Sequence, residues 1–374
     1  MKDYAGFGAL SEALQSLSEQ DFRKVLVVAS ESGWRRFNIP AERTFFTERE
    51  TRVFTAFSPN PDFAEILAGA SLFREFNPDL IVAFGGGSPI DVAKTIKAEV
   101  FTKQPYDSGE PQSIVPSGDG PPLVAITTTA GSGSEATQFS VFYVGHKKQA
   151  LSHPSLRPDM AVVDPEMTYS LPPAQTAATG FDALSQAIEA YWSTNSTTEA
   201  KELGKVAIGY ILPNLYNAVH TPQPGNRYHM AQAAYLSGQA INMTRTSIPH
   251  ALAYYLTQEY GLAHGHAVAI TLPYFFRLNI DPALPVNVKD GAAANRQTME
   301  ELFALLGLKD AEGCFIFWRN LMHACGLASR LSEVGVDDRQ KVQALVGSMD
   351  PMKLQNHPVQ IKPEYLVDFI VNNP

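Results

Sequence analysis

Four short apolar runs constrain this chain's fold more than any other feature, because each ends in small, acidic or hydroxyl-bearing residues: KVLVVAS at 24–30, DLIVAFGGG at 79–87, PLVAITTT at 122–129 and MAVVD at 160–164. Helical patterns at 61–76 and 89–100 fall between them. Strands alternating with helices describe an α/β unit built on a parallel sheet. Beyond about Pro172 the pattern changes to long helical stretches at 176–192, 198–217 and 228–243, with few strand-like runs. The expected organisation is an α/β domain over 1–175 followed by an all-α domain over 176–374. A chain of 374 residues is too long for one ordinary core, so a ligand-binding cleft between the two is also expected. The Pro-, Gly- and Ser-rich stretch from Lys103 to Pro122 reads as a surface loop.

A net charge of −9 argues against nucleic acid or an anionic membrane as partner, since either needs a basic face. The N-terminus has no apolar core of signal-peptide length, and a cytoplasmic protein is expected. Two cysteines, Cys314 and Cys325, are too few for a disulfide framework and lack metal-finger spacing. They read as packing thiols.

Gly85-Gly86-Gly87-Ser88 follows an apolar run and precedes Pro89, a residue suited to a first helical turn. Glycines let a backbone approach a pyrophosphate, and the helix start offers unpaired N–H groups. A tight turn alone would also explain four such residues. A second loop, TTTAGSGSE at 127–135, again ends an apolar run, where open α/β sheets bind ligands. Its hydroxyls suit phosphate, ribose or nicotinamide oxygens. Neither loop has G-x-G-x-x-G or P-loop spacing.

In the second half, Asp182 and Gln186 are four residues apart and share a helical face. His250 and His264 follow, one on a helix and one on the next turn. Two imidazoles with a carboxylate form a candidate site for Fe²⁺ or Zn²⁺ that leaves a position open for a substrate oxygen. His266 is placed for an outer contact or a proton relay. His146, His220, His229, His323 and His357 have no partner at useful spacing and read as structural or solvated.

Taken in order, GGGSPIDVAK at 85–94, TTTAGSGSE at 127–135, DPEMTYSLPP at 164–173, GFDALSQAIEAYWS at 180–193 and PHALAYYLTQEYGLAHGHAVA at 249–269 resemble the group III, iron-containing alcohol dehydrogenases. The resemblance implies a Rossmann-like N-terminal domain, a helical C-terminal domain as in dehydroquinate synthase, and a homodimer. It also implies that Gly86, Gly87, Ser88 and Asp91 form a pyrophosphate turn and that Thr127, Thr128, Ser132, Ser134 and Lys148 contact the cofactor. Asp182, His250 and His264 occupy three of the family's four metal-ligand positions. Gln186 stands at the fourth, where relatives have histidine, and a neutral amide oxygen is a weaker transition-metal ligand. Tyr254 replaces another frequent histidine and could donate a proton or pack.

These departures, with SHPSLRP at 152–158 and the basic-Thr-x-x-x-His-Ala-Leu segment at 245–252, resemble the phosphonoacetaldehyde reductases, also called hydroxyethylphosphonate dehydrogenases. The implied substrate is a small anionic aldehyde reduced to a primary alcohol, with Arg245 and His153 as its contacts. Arg157 reads better as a surface ion pair. Ser30 stands where the family often has an Asp that binds ribose hydroxyls. With Arg35 and Arg36 close by, NADPH is expected over NADH, although Glu31 points the other way. Two competing readings are an uncharged-aldehyde reductase and a lyase like dehydroquinate synthase that uses the cofactor transiently. A third is a catalytically silent nucleotide-binding module.

Overall fold

The computed structural model describes residues 1–37, 40–103, 114–145, 147–349 and 354–374. The centre of the expected 103–122 loop and His146 lie outside the described residues. The chain divides into two compact units, Met1–Ser170 and Leu171–Pro374. The division falls slightly before 175 because Pro173 already starts the first long helix, with Pro172 as its extended N-cap.

In the first unit the elements run β1 (Tyr4–Ala5), α1 (Ala9–Ser18), β2 (Lys24–Ala29), α2 (Glu31–Arg36), α3 (Pro40–Thr47), β3 (Glu50–Phe54), α4 (Phe63–Phe76), β4 (Leu80–Gly85), α5 (Gly87–Val100), β5 (Leu123–Thr127), β6 (Phe139–Val144), β7 (Lys147–Ser152) and β8 (Met160–Val163). Six strands form a parallel sheet in the order β1-β8-β5-β4-β2-β3. The four expected runs are four neighbours in it. Alternate residues feed two cores. Leu26, Val28, Ile81, Ala83, Leu123 and Ala125 pack with Ile66 and Phe73 of α4 and Ile90 and Ile96 of α5. Val25, Val27, Leu80, Val82, Val124 and Ile126 pack with Leu10 and Leu14 of α1 and Phe45 and Phe46 of α3. Each fully buried side chain of this size contributes roughly 1.5–3 kcal/mol relative to exposure, so continuous apolar runs are what a sheet covered on both faces requires.

The sequence reading missed β1, β3 and the antiparallel β6–β7 hairpin. β3 is an edge strand reading ETRVF, and only Phe54 in it is buried. Sheet pairing holds it, without an apolar run to announce it.

The second unit is helical: α6 (Pro173–Trp192), α7 (Thr198–His220), α8 (Pro224–Thr244), α9 (Ile248–Tyr260), α10 (His264–Thr271), α11 (Pro273–Leu278), α12 (Gly291–Leu305), α13 (Ala311–Ala324), α14 (Arg339–Gly347) and a last helix, Pro363–Asn372. α6 is buried on every side from Gly180 to Trp192, packed by α7, α8 and α10. Such a helix is normally apolar all round. Asp182, Gln186 and Glu189 are therefore exceptions that need partners. Among the described residues no helix is long and apolar enough to cross a membrane.

Candidate active site

β4 and β5 are neighbours, with Gly85 opposite Thr127, and the backbone N–H of Thr128 donates to Gly85 O at 2.9 Å. This pairing brings the two loops together. A Cβ on Gly86 would meet Thr129 Cγ2 and Oγ1 at 3.1 Å, and one on Gly87 would meet Ser132 Cβ and Oγ at 3.1 Å. Gly86 is the N-cap of α5 and offers no side-chain cap. A narrow cradle bounded by glycine backbone, hydroxyls and an uncapped helix start suits a dinucleotide's pyrophosphate.

Several expected cofactor residues build this cradle through internal bonds. The Ser88 hydroxyl donates to Pro59 O, and Thr127 Oγ1 donates to Thr129 O at 3.0 Å. Ser134 Oγ donates to Asp91 Oδ1 at 2.5 Å, while Asp91 Oδ2 accepts from Val141 N at 3.1 Å. Ser132 Oγ accepts from Ser134 N at 3.3 Å. Burial raises the Asp91 pKa, against the opposing charge of Lys94 and these bonds; Lys148 of β7 adds a smaller opposing effect. Ser30 follows β2 and caps α2, its hydroxyl accepting from Gly33 N at 3.2 Å.

Sequence reasoning passed over Lys94. This residue is fully buried, and its Nζ donates to the carbonyls of Ser134, Thr137 and Phe139 at 2.7–2.8 Å, so it fastens the hydroxyl loop to α5. Burial brings it down to about 8 despite Asp91 and Glu135, and burial lifts Glu135 to about 7. The available signal was a lysine three residues after Asp91, directly behind the apolar pair Val92-Ala93.

In the second unit, one ligand atom from each of Asp182, His250 and His264 lies within 4.8 Å of the others. Asp182 comes from the middle of α6, and the histidines from the first turns of α9 and α10. Gly265 makes the approach possible. A Cβ there would stand 2.0 Å from Ala178 O and 2.7 Å from Asp182 Cβ, so only glycine lets α10 seat its first turn on α6.

Glu189, also missed from the sequence, orients His250. One carboxylate oxygen is bonded to His250 Nδ1, and the other accepts from Ser247 N at 2.6 Å and Ser247 Oγ at 2.8 Å. With Nδ1 engaged, Nε2 faces Asp182 Oδ1 at 3.4 Å, and both atoms are buried without a hydrogen-bond partner. Burial opposes a charged His250, but Glu189 and Asp182 outweigh it and lift the ring to about 8. Burial likewise works against the Asp182 carboxylate, yet the adjacent His250 ring and the charge of His264 hold it below its ordinary value. Two orphaned buried ligand atoms flanked by carboxylates are what a divalent cation would satisfy.

Gln186 lies beside this cluster. Its Oε1 accepts from Ser237 Oγ at 3.2 Å, and its side chain hydrogen-bonds the Asp182 carboxylate. Tyr254 stacks on His264, with ring centroids 5.7 Å apart and planes 4° apart. His266 points elsewhere: two residues along a helix is the opposite face, and its Nε2 is bonded to Ala328 O at 2.8 Å. Arg245 is exposed in the turn between α8 and α9. His153 belongs to the first unit, where its Nδ1 accepts from Ser155 N at 3.2 Å and caps its own turn. Arg157 pairs with Asp3 at 3.9 Å, in keeping with the surface ion pair expected of it. Both cysteines are buried, which pushes Cys314 up to about 12 and Cys325 to about 11.

The iron-containing alcohol dehydrogenase family model matches residues 2–165, and that family's C-terminal model matches 176–372. The chain belongs to the iron-containing alcohol dehydrogenases. Among its relatives, alcohol dehydrogenase 4 of Saccharomyces cerevisiae is 34% identical over 284 residues, covering 74% of each chain. An NADPH-dependent butanol dehydrogenase of Clostridium saccharobutylicum is 32% identical over 75% of this chain and 73% of its own. A sulfoacetaldehyde reductase of Bifidobacterium kashiwanohense, solved with NAD⁺, superposes with a TM-score of 0.84 at 30% identity, over 99% of this chain and 96% of that one. This dehydrogenase is thus an alcohol dehydrogenase or aldehyde reductase of a family that uses NAD(P) and a divalent metal. The lyase and silent-module readings give way to it.

Proposed function

We propose that this dehydrogenase reduces phosphonoacetaldehyde to 2-hydroxyethylphosphonate with NADPH. The observation that carries the reading is Arg245, an exposed cation five residues before His250 on the turn that leads into α9. Ser247 in that turn is bonded to Glu189, which also holds His250. A guanidinium is a planar fork of donors that matches phosphonate oxygens two at a time. The likeness to a sulfoacetaldehyde reductase, named for an aldehyde with a charged tetrahedral group, supports the same class.

When bound, the cation would act as Lewis acid on the aldehyde oxygen and the reduced nicotinamide would supply hydride to the carbon. Asp182, His250 and His264 would hold the ion, and Glu189, bonded to His250 Nδ1, leaves Nε2 available as a ligand atom. Gln186 steadies Asp182 rather than serving as a fourth ligand. Tyr254 holds the proton that passes to the oxygen as it becomes a hydroxyl. His266, committed to Ala328, takes no part in this scheme. Gly86, Gly87, Thr128 and Ser132 bind the cofactor, and Ser30 brings no carboxylate against a ribose 2′-phosphate.

The test is NADPH and NADH oxidation by protein loaded anaerobically with Fe²⁺ or Zn²⁺, using phosphonoacetaldehyde, sulfoacetaldehyde and uncharged aldehydes of similar size. A preference for the phosphonate that disappears in Arg245→Ala supports the reading. Equal or better turnover of uncharged aldehydes sinks it in favour of a general aldehyde reductase, the alternative that the likeness to a butanol dehydrogenase favours. Turnover with NADH alone overturns the cofactor assignment.

A further inference from the structure

Among the described residues, two that are not glycine have positive φ. Asn77 ends α4 in the left-handed conformation that asparagine often adopts there. Arg245 is different: φ 62° with ψ 173° falls in a region that essentially only glycine populates. Such a backbone persists only where its surroundings over-determine it.

The surroundings here are specific. The Arg245 N–H donates to Ile241 O at 2.7 Å, and Thr244 Oγ1 donates to Arg245 O at 3.1 Å. The carbonyls on either side, of Thr244 and Thr246, both accept from Asn356 Nδ2, at 2.9 and 3.0 Å. Asn356 is buried, and its Oδ1 accepts from Ser193 Oγ at 2.7 Å, Thr194 Oγ1 at 3.3 Å and Asn195 Nδ2 at 2.8 Å. A single amide thus brackets Arg245 and anchors it to the end of α6. At the other end of the turn, Ser247 is held by Glu189 and receives a hydrogen bond from Trp192 Nε1 at 3.1 Å.

We infer that Asn356 is a positioning residue for substrate specificity, holding the Arg245 turn in its strained form so that the guanidinium meets the oxyanion of an anionic aldehyde. This rests on the reading of Arg245 as the anion contact. Glycine at 245 would remove the strain and the side chain together, so the strain is retained for the side chain. A long arginine loses much rotamer freedom when it grips a ligand, and a fixed backbone beneath it reduces what remains to be ordered.

The experiment measures kcat/KM for phosphonoacetaldehyde and for an uncharged aldehyde of the same chain length, in wild type, Asn356→Ala, Arg245→Ala and the double variant. Asn356→Ala is expected to lower the charged-to-uncharged ratio by about tenfold, and Arg245→Ala by at least as much. The double variant should fall no further than Arg245→Ala alone. Equal loss on both aldehydes, or additive effects on the ratio, overturns the positioning role. If Asn356→Ala does not fold, Arg245→Gly must melt above Arg245→Ala, because glycine relaxes a left-handed backbone. Equal melting points overturn the clamp. A wild type with no preference for the charged aldehyde refutes the substrate reading and the specificity role with it, and the glycine–alanine comparison then judges the strained clamp separately.

Discussion

The glycine and hydroxyl cradle and the Asp182–His250–His264 cluster are built on opposite plans. The cradle is made of backbone, glycines and small hydroxyls from two loops, each continuous in sequence, and Lys94 fastens them from behind. The cluster is made of three side chains from three helices, held in register by Gly265 and Glu189. A backbone site tolerates loss of a single side chain because the main chain supplies most of its donors. A side-chain site depends on every helix being seated to within a fraction of an ångström.

The largest effect should come from seating. Gly265→Ala places a methyl group 2.0 Å from Ala178 O, and the protein should retain no stoichiometric metal, with activity down about a hundredfold or more. Metal content by elemental analysis checks it, and full occupancy would show that the helices do not set the site.

Glu189→Gln keeps a hydrogen-bonding shape but removes the charge behind His250. Metal affinity measured by chelator competition should fall about 10–100-fold, with cofactor affinity unchanged. An unaltered metal affinity would remove Glu189 from the site.

Gly87→Ala probes the other plan. Its Cβ would press on Ser132 at 3.1 Å, and nucleotide affinity by fluorescence titration should weaken about tenfold while metal binding stays as it was. Loss of both would mean that the two sites are not independently built.

The smallest effect is in pH. His250 rises from 6.5 to about 8 in the metal-free protein, so the folded state holds its proton more tightly than the unfolded chain. That stabilisation is fully present below about 6.5 and is lost as pH rises through about 8. The thermal midpoint of metal-free protein should therefore decline across this window. Metal-loaded protein, with no proton at His250 Nε2, should show no such decline.

Much of the first unit was legible because a parallel sheet covered on both faces requires continuous apolar strands, and the loops ending two of them carry their chemistry locally. Asp182, His250 and His264 were legible as candidate ligands by residue type, and what the fold added is that they meet within 4.8 Å of one another. Gln186 could not be read, because its role depends on whether Ser237 or an ion meets its oxygen, and Ser237 comes from another helix. His266 sits beside a ligand in sequence but on the opposite face of the helix in space.

By itself the sequence determined the α/β-then-α order, the two cradle loops and the identity of the ligand candidates, since these follow from local periodicity and residue chemistry. Only the tertiary structure decided that β4 lies beside β5, that Glu189 stands behind His250, and that Asn356 brackets a strained Arg245. Each of those is a contact between residues far apart in the chain, set by close packing and by the need to satisfy buried polar groups, and neither demand leaves a periodic trace in the sequence.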